Sequence, residues 1–313
     1  MKRPVRLRDF IEDGNGWLYA VSTYDNEKRV GCLLRYIPDE QGERVRSDGR
    51  RYHKLDFEEA FDLIARTKPA YADMVQRVPL EDIQYVLKPE EQIGAICARN
   101  PKVRKLVTLF SLPSGTIGCT GSLLCRLENE RSDIDLVVYG DHWFSAQQQL
   151  KMAITHGTIS DLSETMWHTV YEKRKPSVPF ETFLLHEVRK WNRGEIEGTY
   201  FDLLFTRSYE NLTGVSSCRG TVLGKRHIEA TVTDASLSFD SPAIYEVDHE
   251  DISKVLSFTH TYAGQALKGE VIEAKGVCEQ QGSERWLVIG TSRIAPGEFI
   301  ISRSLMEQPS PQI

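Results

Sequence analysis

No two cysteines of this chain are spaced Cys-x-x-Cys, and the six, at 32, 97, 119, 125, 218 and 278, are too scattered for a disulfide framework. That argues for reduced thiols and against structural zinc. Long apolar runs are missing too. No stretch approaches the roughly 20 residues that span a bilayer, and the basic start MKRPVRLRDF has no apolar segment behind it. These absences predict a cytoplasmic protein with no membrane partner. The histidines show no metal-ligand spacing and there is no internal repeat. A large charge excess is lacking as well. A net charge of -6 excludes a surface that is basic throughout, although a local basic face remains compatible with it.

What is present is the composition of a folded chain: 313 residues, 40% apolar and 9% aromatic, enough for two or three domains with their own cores. From Gly16, two apolar runs separated by DNEK read as a β-hairpin. A short run at Tyr52 leads into LDFEEAFDLIARTK, where Phe57, Ala60, Phe61 and Ile64 recur at helical spacing. KPEEQIGAICAR and PKVRKLVTLF each carry a proline suited to a helix start. SLPSGTIGCTGS and SDIDLVVY read as strands, residues 143–193 as largely helical up to WNRGEIEG, and TYFDLLFTR as a further strand. From about Val215 short strands broken by Gly and Asp suggest a barrel or sandwich. The expected organisation is an N-terminal α+β unit (1–87), a central α/β domain (88–213), a C-terminal β-rich, OB-like domain (214–305) and a tail (306–313).

The chemistry concentrates in GSLLCRLENERSDID, residues 121–135. Asp133 and Asp135 are one residue apart at the start of an expected strand, so the two-residue period turns both carboxylates to one face. Like charges that close repel unless a cation sits between them, and hard oxygen ligands suit Mg2+. A D-x-D pair alone is commonly a turn or sheet-edge feature. Gly121 adds close backbone approach to a phosphate, Ser122 adds a hydroxyl, and the following residues can open a helix whose free N–H groups favour an anion. Asp202, embedded in TYFDLLFTR, is an acid where a strand interior disfavours charge. It requires a metal or a polar partner, with a salt bridge as the plain alternative.

The pattern Gly-Ser, ten residues, Asp-Ile-Asp, then an apolar strand with a single Asp resembles the polymerase-beta superfamily of nucleotidyltransferases over about residues 88–213. The whole chain also resembles a group of predicted archaeal nucleotidyltransferases. The resemblance implies a palm of mixed sheet and helices around two Mg2+ ions, for which Mn2+ can substitute. It also implies transfer of a nucleoside monophosphate from an NTP, ATP foremost, onto a hydroxyl. Asp133 and Asp135 would bridge the metals, Asp202 would hold the metal that activates the acceptor, and Gly121 and Ser122 would hold the β- and γ-phosphates. Many minimal members have a glycine four residues after the serine, where this chain has Arg126. That departure questions the loop geometry, although an arginine there could contact a phosphate.

Two basic clusters interleaved with aromatics, at 43–54 and 171–193, are candidates for RNA contacts, with solvated charge as the alternative. RNA is accordingly the expected acceptor, with a protein or small-molecule hydroxyl as alternatives. A different class of protein, a nucleotide- or RNA-binding module without chemistry, is the competing expectation. The nucleotide, the acceptor and the oligomeric state are not specified by the sequence.

Overall fold

The computed structural model describes residues 3–212, 219–292 and 295–308. The protein is α+β. By contacts it divides into two units, one running to Asp161 and resuming at Asn192, the other made of Leu162–Trp191 and the residues from 218 onward. The expected boundary at 213/214 lies outside the described residues, as does the tail from 309.

In the first unit, a sheet is built from β1 (Phe10–Asp13), β2 (Leu18–Val21), β3 (Arg29–Pro38), β4 (Arg44–Val45) and β5 (Arg51–Lys54). Helix α1 (Phe57–Thr67) follows, then β6 (Gln76–Pro79) and β7 (Ile83–Leu87), in the sheet order β4-β5-β3-β2-β1-β7 with β6 also on β3. The expected hairpin is the β2–β3 pair, and α1 starts at a capping box in which Asp56 and Glu59 bond each other's backbone N–H groups. Ala60 and Ile64 of α1 pack on Tyr19, Cys32 and Leu34.

Helices α2 (Pro89–Arg99) and α3 (Pro101–Phe110) begin at their prolines, as the sequence predicts. The start of α2 lies against β8 (Ile117–Cys119). A Cβ on Gly118 would sit 2.5 Å from the Pro89 carbonyl carbon, so only glycine permits this approach. Then come α4 (Gly121–Cys125), β9 (Ile134–Tyr139) and α5 (His142–Thr155). A second sheet has the order β10-β11-β9-β8, where β10 is Arg193–Ile196 and β11 is Thr199–Thr206. Its central pair, β9 and β11, is parallel. The β-branched run of β9 is buried, and the Trp143 indole of α5, itself buried, donates to the Leu203 carbonyl at 3.2 Å. The two sheets share a unit and a core: Phe10, Leu18, Tyr36 and Tyr52 pack on Leu124, Cys125 and Leu127.

The N-terminal segment is tied in by buried charge. The Arg6 guanidinium lies between the rings of Tyr139 (3.6 Å) and Tyr209 (3.8 Å) and 3.1 Å from Glu90, whose carboxylate accepts both tyrosine hydroxyls at 2.8 Å. Burial alone would raise Glu90, but Arg6 and these hydrogen bonds hold it below the ordinary range. Burial pushes Asp9 up to about 6 in spite of its 2.7 Å pair with Lys88.

The second unit contains α6 (Glu164–Arg174), α7 (Phe180–Val188) and the strands β12 (Thr221–Asp234), β13 (Ala243–Asp248), β14 (Lys254–Ser257), β15 (Val271–Gln281), β16 (Glu284–Ile289) and β17 (Phe299–Ser302), closing with α8 (Arg303–Met306). Met306, the first residue of the expected tail, therefore ends a helix. The pairings run β12-β13-β14-β16-β15 and return from β15 to β12, with β14 and β16 parallel and β17 alongside β15. Ala230, Val232, Tyr245, Val255, Ile272 and Leu287 fill the interior of this circuit. At the C-cap of α7, Arg189 forks onto Glu270 at 2.7 and 2.9 Å. His186 is buried, its Nδ1–H facing the Thr182 carbonyl (2.7 Å) while its Nε2 accepts from the Ser302 N–H (2.9 Å).

That geometry admits only the neutral ring. Burial foremost, with Lys190 and Arg189 acting the same way, pushes His186 down to about 4. A depressed histidine contributes stability that is complete above its ordinary pKa and lost as pH falls through the folded value. We therefore predict that the second unit loses on the order of 3 kcal/mol between about pH 6.5 and pH 4. Denaturant unfolding should show this slope in the wild type, whereas His186→Leu, less stable at neutral pH, should lack the slope.

Candidate functional site

Asp135 and Asp202 are direct partners across the parallel pair: Phe201 faces Ile134, Asp202 faces Asp135, and Leu203 faces Leu136. In a parallel ladder such partners lie side by side on one face, so the two carboxylates are neighbours. The flanking Ile134, Leu136, Phe201 and Leu203 are buried, while both aspartates are half-buried. Asp133 precedes β9 and is exposed, one residue outside the ladder. Among the described residues no three His, Cys, Asp or Glu side chains converge on a metal-sized point. Of the three expected carboxylates, the structure sets two side by side and does not assemble the trio.

The partner required by Asp202 is Arg193. Its Nε is 3.6 Å from the Asp202 carboxylate, the two residues being opposite each other in the β10–β11 hairpin. WNRGEIEG, expected to end the helical stretch, holds strand β10 and a tight turn. Glu197 and Gly198 both have positive φ, 47° and 71°, which is the two-residue hairpin geometry that matches strand twist. Glu-Gly between two short runs was the available signal. Counting back from that turn pairs Arg193 with Asp202.

Gly121 follows β8 with φ +69°, in the left-handed region. A Cβ there would lie 2.6 Å from the Asp135 Oδ2. The glycine thus lets the turn close over the Asp135 carboxylate. Thr120 joins the two: its N–H donates to the Asp135 carbonyl at 2.9 Å, and its hydroxyl to the Arg8 carbonyl at 2.7 Å. Arg8 itself has φ +75°. Ser122 is half-buried in α4, whose five residues are too few for a developed macrodipole. Arg126 caps α4 with φ +57°, exposed. The arginine adopts the conformation that a glycine would favour, so the departure at 126 leaves the turn intact.

The basic clusters are largely committed within the protein. In the first, Arg44 donates to the Leu127 carbonyl (3.3 Å) and the Ser132 hydroxyl (3.2 Å), Arg46 to Glu12 (3.2 Å), and Arg51 to the Gly42 carbonyl (3.0 Å). In the second, Arg174 and Lys190 pair with Glu187 at 3.3 and 2.5 Å. Arg50, Arg51, Lys54, Lys173 and Lys175 of the two clusters are exposed. The described cysteines are free, Cys218 lies outside the described residues, and no helix among those described is long and apolar enough to cross a membrane.

The fold and this geometry define an α+β protein with paired carboxylates at the heart of a mixed sheet. The chain is 36% identical to the uncharacterized protein MJ1086 of Methanocaldococcus jannaschii, over 95% of this chain and 98% of that protein, and belongs to the same family. No family model matches it. No solved structure matches it either.

Gly121→Ala should separate fold from site. The left-handed backbone costs a non-glycine residue about 1–2 kcal/mol, and the added methyl meets the movable end of Asp135. Thermal unfolding should show a loss of that size, and a crystal structure should show the Asp135 carboxylate displaced. Arg126→Gly should leave the fold at least as stable.

Proposed function

We propose that the protein is a Mg2+-dependent nucleotidyltransferase, with Mn2+ able to substitute, that moves a nucleoside monophosphate from an NTP, ATP foremost, to an acceptor hydroxyl in the cytoplasm and releases pyrophosphate. The observation that carries this reading is the in-register pairing of Asp135 with Asp202 beneath the Gly121 turn. Adjacent carboxylates on rigid strands repel, and their oxygens suit a hard divalent cation. Asp135 and Asp202 would hold the metal, and Asp133 would join them. When bound, the metal neutralises charge on the phosphates and acidifies the acceptor hydroxyl. Asp202 takes the hydroxyl proton as the oxygen attacks the α-phosphate. Ser122 and the backbone N–H groups of the turn hold the β- and γ-phosphates, with Arg126 at the rim.

The first unit is then a nucleotidyltransferase palm. The strand circuit of the second unit, whose third and fifth strands are parallel, supports an OB-like barrel, and with it RNA as the acceptor. That step is fold analogy. One observation favours a second reading: Arg193 already supplies a cation to Asp202, as suits a nucleotide- or RNA-binding protein without chemistry.

Incubation with NTPs labelled at the α-phosphate, Mg2+ and total RNA distinguishes the two. Transfer of label to RNA, protein or a small molecule should fall by about 10²–10⁴-fold in Asp202→Asn, with nucleotide affinity largely kept. Metal-dependent nucleotide binding without transfer to any fraction would support the second reading.

A further inference from the structure

The DNEK break between β2 and β3, which the paired aspartates do not use, borders a cavity of about 350 Å³ within the first unit. The chain from Ala70 to Asp73, beyond α1, and the strand pair β3–β6 complete the lining. Strand register brings two arginines to it. Arg29 of β3 faces Pro79 of β6 and Gly31 faces Arg77, so Arg29 and Arg77 are diagonal neighbours on one face, while Val30 and Val78 turn into the core. Gly31 lets the turn close onto this face, since a Cβ there would lie 2.2 Å from the Thr23 hydroxyl oxygen. Asn26 then fixes the turn, accepting from the Gly31 N–H at 3.0 Å and donating to the carbonyls of Thr23 (2.7 Å) and Val5 (3.2 Å).

Both guanidiniums are held by main-chain carbonyls instead of carboxylates. Arg29 donates to the carbonyls of Ala70 and of Arg77 (3.2 and 2.7 Å), and Arg77 donates to the Asp25 carbonyl (2.9 Å). Among the described residues neither arginine makes an ion pair, and nor do Lys28, Asp25, Glu27 and Asp73 on the same lining. The carbonyl bonds set the direction of each guanidinium without neutralising it, which lowers the ordering cost of pairing with an incoming oxyanion. A polyanion is disfavoured, because three carboxylates stand beside the three cations. The balance suits a small ligand that carries both signs. Of the carboxylates Asp25 is half-buried and the other two are exposed, so Asp25 is the least screened partner for a cation.

We propose that this cavity binds a small zwitterion of the free amino-acid type, its carboxylate on the Arg29–Arg77 pair and its ammonium group on Asp25. The site shares no residue with the paired aspartates, and the inference does not rest on the nucleotidyltransferase reading.

The test is calorimetric titration of the full-length protein with the common free L-amino acids, and, for the tightest of them, with its N-acetyl derivative and its decarboxylated amine. Loss of either ligand charge should weaken binding at least about tenfold, corresponding to about 1.4 kcal/mol. Arg77→Gln should weaken the amino acid by a similar factor and leave the amine unchanged. Asp25→Asn should weaken the amino acid and leave the N-acetyl derivative unchanged, a crossed pattern that a merely structural effect would not produce. Wild-type protein that binds no amino acid would overturn the proposal. Acetate or inorganic phosphate binding as tightly as the amino acid would show an oxyanion site without recognition of the ammonium group, and would overturn it too. So would amino-acid binding that both variants leave intact, since the ligand would then sit elsewhere.

Discussion

The site depends on the register of one parallel strand pair. Because β9 and β11 run side by side with Asp135 opposite Asp202, two carboxylates meet on one face of an otherwise buried sheet. A slip of one residue would turn Asp202 away and drive Leu203 outward, so the apolar neighbours enforce the register that the acids need. Trp143 adds a lock one residue beyond Asp202 by donating its indole N–H to the Leu203 carbonyl. Arg193 enters the same row across the hairpin on the other side of β11. The row therefore runs from a guanidinium through two carboxylates to the Thr120 N–H, which bonds the Asp135 carbonyl.

Arg193 offsets the charge of Asp202, and buried ion pairs tie the surrounding scaffold together. Arg6, clamped between two tyrosine rings and paired with Glu90, fixes the N-terminal segment in the same unit as the second sheet. Two residues on, the strained Arg8 presents its carbonyl to Thr120, directly before the Gly121 turn. From the other side Arg44 bonds the loop that ends at Ser132, just ahead of Asp133. Removing one partner from so buried an ionic network leaves the other charge uncompensated, which couples distant N-terminal residues to the placement of the site.

Elements with strong local signals were legible in the sequence. The prolines of α2 and α3, the helical spacing of α1 and the β-branched run of β9 lie where their chemistry predicts. Asp202 was legible as an acid in an apolar strand, whereas its pairing with Asp135 was not, because strand pairing between residues far apart in the chain has no local signature. Arg193 was missed because WNRGEIEG was read as the end of a helical stretch and not as a strand, and the β-bulge that β3 makes at Arg35 against β2 is a tertiary feature of two strands that each read as regular. The pairing of Arg44 and Arg174 was not legible, because their acceptors, the Leu127 carbonyl and Glu187, become neighbours only on folding.

Whether Asp135 and Asp202 form a divalent-cation site can be read from anomalous diffraction of crystals grown with Mn2+ and a non-hydrolysable ATP analogue. An anomalous peak coordinated by both carboxylates is expected, with the triphosphate against the Gly121–Ser122 turn. A nucleotide bound elsewhere, or Asp202 still held by Arg193 with no Mn2+ at Asp135, would contradict it.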